Sequence, residues 1–305
     1  MKDLAPFVSD TLFESLKTAR PQVALTALLQ ERSSAQPKNI RLQTFASNMA
    51  HITQVLQYST LGVSLLGFAA QKDVSIGLDP LLEANSSFFY PGQNHFDLGY
   101  QPDVLQKTEK GVSRAIVSMT GALRRVWHYH HRLGPDLGLR PRDFLAVFRL
   151  MEADIEAVTC LCAWELRCQG QHFLWRHMLS QQEGDLAYVF EQSMTDNPAH
   201  AFDGTALKAV FNQWFADTAR VSACDHVALE MLDAALLQSD LRIKLARREL
   251  QRADLQKIGC LPQGKNYLEG CLFTNPWYDG LEDDFNRRHL AHIEKDIVDL
   301  SEIHR

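Results

Sequence analysis

The sequence predicts a mainly α-helical protein with a small β element. Lys110–His131 places apolar residues at three- and four-residue steps, the period of a helix with one face in a core, and Pro141–Gly170 is a long stretch that is apolar on almost every side. Only one stretch, Leu78–Pro102, is rich in Gly, Pro, Asn and aromatic residues in the manner of short strands and turns. There is no internal repeat and no low-complexity tract.

Taken in order, Phe7–Ala19 and Gln22–Glu31 read as helices, with Ser33–Asn39 as a loop between them and the next element. Thr44–Ser59 is a helix that puts Phe45, Met49, Ile52, Val55 and Leu56 on one side. Gly62–Ser75 has strand character, although a buried helix fits its first half as well. Ser87–Tyr90 and His95–Gly99 are two short strands joined at Pro91-Gly92. The Lys110–His131 helix stops at Leu133–Arg140, and Pro141 opens the next one at a favoured first position. Helices follow at His172–Ser180, Glu183–Met194, Ala206–Ala219 (capped by Thr205) and Asp225–Ser239. Leu241–Leu255, charged and mixed in sign, reads as a solvent-facing helix. Gly259–Gly280 is a loop region, and Glu282–Leu300 is an amphipathic helix.

Composition sets bounds. With 46% hydrophobic residues, 22% charged residues and 305 residues in all, the chain has ample material for a core. A net charge of -6, with no run of basic residues beyond pairs such as Arg247–Arg248, argues against a nucleic-acid surface. The longest apolar run, Leu61–Ala70, falls short of the roughly 20 residues that cross a bilayer. The N-terminus lacks the basic-then-apolar order of a signal peptide. Six cysteines suit a reduced compartment, and Cys160, Cys162 and Cys168, on one helix, lack the paired zinc-knuckle spacing and read as small buried hydrophobes. A cytoplasmic protein without a membrane or nucleic-acid partner is expected.

The Pro141–Gly170 helix carries acid where a helix should be apolar. Glu152, Asp154, Glu156 and Glu165 sit in a segment that is apolar on almost every side. A buried carboxylate needs a cation or a metal beside it, because an unpaired buried charge is very costly. On a helical wheel Asp154 falls among Val147, Leu150, Val158 and Leu161, with Glu165 on the same side. Glu152 and Glu156 point the other way, beside Arg149. The helix is therefore buried on more than one face. Its acids pair with Arg149 or with Arg124 and Arg125 of the preceding helix, or they do metal or general-base work.

Other constellations are weaker. Trp127–His131 is the densest histidine cluster; His128 and His131, three apart, can share a metal with Asp154, or simply end a helix whose C-terminus favours them. Asp225-His226 are adjacent on a helix and point apart. Gln263–Tyr267 is a turn rather than a phosphate loop. Neither G-x-S-x-G, nor a Walker loop, nor H-E-x-x-H occurs. The aromatic residues of the strand-like region, with Phe89, Tyr90, His95 and Tyr100, form a candidate cleft for a peptide or ligand.

The order FFYPGQNHFDLGY, AIVSMTGALRRVWHYH and EADIEA, together with EADIEAVTCLCAWELR, FDGTALKAVFNQWFAD and QGKNYLEG, resembles a family of bacterial proteins described as a "putative metallopeptidase" domain. The resemblance runs from Leu78 to about Gly270. It implies a zincin-like core in which H-E-x-x-H on the first helix gives two zinc ligands and a general base, and an acid on the second helix gives the third ligand. The matching positions here are Gly121, Ala122, Leu123, Arg124 and Arg125, so both histidines and the glutamate are missing. The resemblance thus implies a pseudo-site in which Arg124 and Arg125 face Glu152, Asp154 and Glu156 in place of a metal.

The domain expectation is an N-terminal helical extension at 1–60, a zincin-like core at 61–240 and a C-terminal helical extension at 241–305. The leading functional reading is a catalytically degenerate metallopeptidase-like protein without a cofactor, which binds an unknown peptide or protein or plays a structural role. The alternatives are a metal-dependent hydrolase with unorthodox ligands (His128, His131, Asp154, Glu152 or Glu156), zinc being the alternative cofactor, and a helical scaffold unrelated to peptidases.

Overall fold

The computed structural model describes residues 22–30, 40–82, 86–99, 108–242, 244–251, 255–271, 281 and 283–303. The expected helix at Phe7–Ala19, the Ser33–Asn39 loop and Tyr100 lie outside them. In chain order the described elements are β1 (Gln22–Ala24), α1 (Leu25–Gln30), α2 (Ile40–Leu56), α3 (Thr60–Gln71), β2 (Ser75–Leu78), β3 (Ser87–Tyr90), β4 (His95–Leu98), α4 (Glu109–His130), α5 (Pro141–Cys168), α6 (His172–Leu179), α7 (Gly184–Asp196), α8 (His200–Asp203), α9 (Thr205–Ala216), α10 (Thr218–Leu237), α11 (Ser239–Arg242) and α12 (Asp284–Ile303). The fold is mainly helical with a small sheet.

Helix α5 is the axis of the fold. It packs against α3, α4, α6, α7, α9, α10 and α12, which is why its sequence is apolar on nearly every side. Pro141 stands at its first turn with Asp143, and the Asp143 carboxylate accepts a bond from the Leu250 amide at 3.1 Å. Helix α4 starts at a Thr108 cap, whose hydroxyl accepts from the Gly111 amide at 3.1 Å. Its buried stripe, Val112, Ala115, Ile116, Met119, Leu123 and Val126, joins one continuous core with Phe45 and Met49 of α2, Val158 and Leu161 of α5, and Leu290 of α12.

Among the described residues the sheet has the order β1-β2-β4-β3. β3 and β4 are antiparallel and joined by a tight turn over Pro91–Gln93, with Asn94 in the left-handed region. β2 runs parallel to β4, with Ser75 opposite His95 and Gly77 opposite Asp97. Strand alternation divides the residues by face. Ile76, Leu78, Phe89, Phe96 and Leu98 enter the core, and α4 packs beside β3 and β4. Ser75, Gly77, His95, Asp97, Phe88 and Tyr90 share the other face.

Several elements differ from expectation. Gln22–Ala24, the start of an expected helix, is a strand because it finds an antiparallel partner in β2. The Gly62–Ser75 segment takes the helical alternative as far as Gln71, and only Ser75 enters a strand. Leu241–Leu255 is not a solvent-facing helix. After α11 its backbone is recruited by the loop before α5: Ala246 N bonds Leu137 O (3.1 Å), Arg248 N bonds Gly138 O (2.9 Å) and Arg140 N bonds Arg248 O (3.1 Å). Thr205 is the first residue of α9 and not its cap; Gly204, at φ 85°, holds the cap position. Helix α10 begins at Thr218, earlier than expected, because the Asp217 side chain caps it through the amides of Ala219 and Arg220.

Glu165 shows how α5 organises its neighbours. Its carboxylate accepts from Ser59 Oγ at 2.6 Å and from the Leu61 amide at 2.9 Å, at the N-terminus of α3. The anion satisfies donors that the helix start leaves open and complements its dipole. Glu165→Ala strands these donors and is expected to cost about 1–3 kcal/mol in urea unfolding. Glu165→Gln, which keeps an acceptor, should cost clearly less; equal losses would mean that the bonds do not hold the two helices.

Candidate functional site

Adjacent residues on a helix point about 100° apart, so Arg124 and Arg125 of α4 serve different surroundings. Arg124 turns inward. Its Nε donates to Asp154 Oδ2 at 2.6 Å and its Nη2 to Asp154 Oδ1 at 3.0 Å, a two-point fork between side chains that are 0% exposed. Nη2 also donates to the Ile258 carbonyl at 2.8 Å, and the Tyr267 hydroxyl donates to Asp154 Oδ1 at 2.7 Å. His128 Nε2 lies 2.9 Å from Asp154 Oδ2, but at an angle too poor for a full hydrogen bond.

The electrostatics of this centre follow from burial. Burial pushes the Asp154 carboxyl up, but Arg124 and His128 together hold it below the usual carboxylate range. Burial, then the Arg124 charge, push His128 down, so its imidazole is neutral. Burial and the Asp154 charge push the Tyr267 phenol well up, so it is a permanent donor. The result is a charge-balanced unit whose carboxylate is occupied by donors on both oxygens. It is built to hold α4, α5 and the 255–271 segment together, not to move a proton.

Arg125 turns toward the sheet. Its Nη2 donates to both Glu152 oxygens (2.9 and 2.8 Å), and its Nη1 donates to Ser87 Oγ of β3 at 3.2 Å. The pair is partly exposed, at 27% and 22%. A Cβ built on Gly121 would sit 3.5 Å from Arg125 Nη1 and 3.3 Å from Ile155 Cγ2. The guanidinium therefore lies over Gly121, in the space that a side chain there would enter.

The remaining expected residues fall elsewhere. Arg149 forks onto Asp225 of α10, with Nη2 donating to Oδ2 at 2.7 Å. Glu156 is half-buried near Cys160, whose thiol is pushed well up by burial and then by the Glu156 and Asp185 charges. Asp225 and His226 form no dyad, since His226 meets Glu230 at 3.2 Å. His131 stacks on Trp127 and Phe68, with ring centroids 4.0 and 5.2 Å away, while His128 is buried against Asp154. Of the expected cleft, Phe89 enters the core and Tyr90 stacks on His95. Sequence reasoning missed Tyr267, Ile258 and Ser87 as partners of this centre; the only available signal for Tyr267 was its place in QGKNYLEG.

Among the described residues no group of three or more His, Cys, Asp or Glu is placed to hold a metal ion. The Arg125 guanidinium already binds the Glu152 carboxylate. Nor is any described helix long and apolar enough to cross a membrane. In comparisons with known proteins, the family described as "Putative metallopeptidase family" matches residues 25–269. No curated protein and no solved structure matches the chain.

The two arginine pairs should separate in stability. Asp154→Ala leaves Arg124 buried and unpaired and is expected to cost about 3–5 kcal/mol. Arg125→Ala, at a pair open to water, should cost less than about 1 kcal/mol. Urea unfolding of both variants measures the contrast, and equal costs would contradict it.

Acid should weaken the fold through the same centre. His128 is held below its ordinary value of 6.5, so below that pH the unfolded chain takes up a proton that the folded chain resists. Asp154 is also held low, so its contribution is present above the unfolded carboxylate value and is lost as pH falls through the folded one. Stability is expected to fall from pH 7 toward pH 5, with His128→Gln flattening that decline. His130 and His177 shift in the same direction but are only partly buried, so the variant isolates the central imidazole. An unchanged slope in His128→Gln would refute the assignment.

Proposed function

We propose a function from one premise: this chain belongs to the family described as "Putative metallopeptidase family". Our reading is a catalytically degenerate member with a zincin-like core, in which arginine has taken the metal's place and the retained surface holds a peptide or protein partner. The observation that carries this reading is the Arg125–Glu152 fork. Arg125 stands at the second ligand position of the motif, and it is engaged with an acid of the second helix through both carboxylate oxygens. Gly121 stands at the first ligand position and Ala122 at the general base, and neither can bind zinc or activate water.

The neighbouring strand supports the binding half of the reading. Among the described residues β3 is an edge of the sheet, and Ser87 at its start is tied to Arg125. An edge strand offers main-chain groups to an extended peptide, which gains affinity by adding to the sheet. The Arg125–Glu152 pair lies beside that strand and remains open to water on one side, so charged groups of a partner can reach it.

Mass spectrometry of the purified chain, with and without added zinc, tests the reading. No stoichiometric metal is expected under either condition. Restoring the motif with Gly121→His, Ala122→Glu and Arg125→His should free Glu152 and create a site that retains one equivalent of zinc. One equivalent of tight metal in the unaltered chain, or none in the restored variant, would count against the placement of the pseudo-site.

A further inference from the structure

The polar face of the sheet carries a second constellation, away from the arginine pairs. Ser75 Oγ lies 2.7 Å from His95 Nδ1, and His95 Nε2 lies 2.9 Å from Asp97 Oδ1. The three side chains line up because the β2–β4 register sets Ser75 opposite His95, and because His95 and Asp97, two apart on one strand, share a face. Gly77 makes the line possible: a Cβ there would sit 2.1 Å from Asp97 Oδ1 and 2.9 Å from His95 Nε2. His95 and Asp97 are buried, at 2% and 0%, whereas Ser75 is partly exposed. Ala24, opposite Ser75 on β1, is exposed and small, so the hydroxyl can be approached from that side.

We propose that Ser75, His95 and Asp97 form an acyl-transfer site, with Ser75 as nucleophile and a carboxylic ester bearing an aromatic group as the class of substrate. A carboxylate against Nε2 keeps the proton on that nitrogen, which leaves Nδ1 as an acceptor facing the serine hydroxyl. Ser75 Oγ bonds to the carbonyl carbon of the ester as its proton passes to His95 Nδ1. Asp97, a positioning residue, stabilises the imidazolium. The intermediate then breaks its bond to the leaving alcohol, which takes the proton from Nδ1. Water, deprotonated by the same nitrogen, releases the acid from Ser75, so one ester and one water give one acid and one alcohol. The aromatic preference comes from Tyr90, stacked on His95 with centroids 6.0 Å apart, and Phe88, 4.5 Å from Tyr90, both partly exposed on the same face.

The site owes nothing to the arginine pseudo-site, and its test is separate. The full-length chain is treated with a fluorophosphonate probe, and adducts are located by intact mass and peptide mapping. Turnover is followed with p-nitrophenyl acetate. One adduct on Ser75 is expected, absent in Ser75→Ala, unaffected by EDTA, and formed about 10²-fold more slowly in His95→Gln. In the unaltered chain the mapped adduct on Ser75 is itself a readout, and it survives if His95→Gln does not fold. No adduct on Ser75, or an unchanged rate in a folded His95→Gln, would each overturn the proposal.

Discussion

The fork between Arg124 and Asp154 is the interaction on which the rest of the structure depends. Two opposite charges lie entirely out of water at the crossing of α4 and α5. Their mutual attraction scarcely repays the removal of both from solvent, but losing either partner leaves a bare charge in the core. Every remaining lone pair and N–H therefore matters, and the fold supplies an acceptor and a donor from far away in sequence. Tyr267 and the Ile258 carbonyl return to the helix pair from beyond α11. Such a centre fixes which turn of α4 meets which turn of α5, something that a purely apolar seam specifies less sharply.

The neighbouring pair obeys different physics. Arg125 reaches both Glu152 oxygens from the single nitrogen Nη2, and the pair keeps contact with water, so it contributes little to stability. On the reading proposed here, that difference separates the roles of two consecutive arginines. Arg124 holds the helices, and Arg125 fills the place of an ion. A chain whose helix crossing is secured independently of a metal can lose the metal ligands without losing its fold.

The sequence made the strongest elements legible for a physical reason. α4 and α5 are long, and their apolar period repeats over many turns, so local pattern and tertiary environment agree. The hairpin of β3 and β4 was legible through its Pro-Gly turn. Short segments were not. Gln22–Ala24 and Ser75–Leu78 become strands only because each finds partners, and the stretch after α11 is shaped by backbone bonds to the loop before α5. The site divides in the same way. A buried acid demands a cation, which pointed to Arg124 and Arg125 as partners for the α5 acids. Which arginine meets which acid depends on helix rotation and crossing, and these are tertiary quantities. Arg149 finds Asp225, and Glu165 finds Ser59 more than one hundred residues upstream.

The sheet explains how one small element can serve two surfaces. Alternation sends Ile76, Phe96 and Leu98 into the core against α4 and gathers Ser75, Gly77, His95 and Asp97 on the other face. Histidine and aspartate on a sheet face turned away from the core are ordinarily solvated. Here they are buried and in contact with one another, with Tyr90 stacked on His95, at a spacing that requires glycine at position 77. Placing a histidine and an aspartate where a strand needs neither for packing, and clearing room for their contact, costs stability that apolar or solvent-exposed residues would not cost. Local departures from good packing of this kind concentrate where a chain has chemistry to perform, and this places the polar face of the sheet beside the helix crossing as a second centre of interest in the molecule.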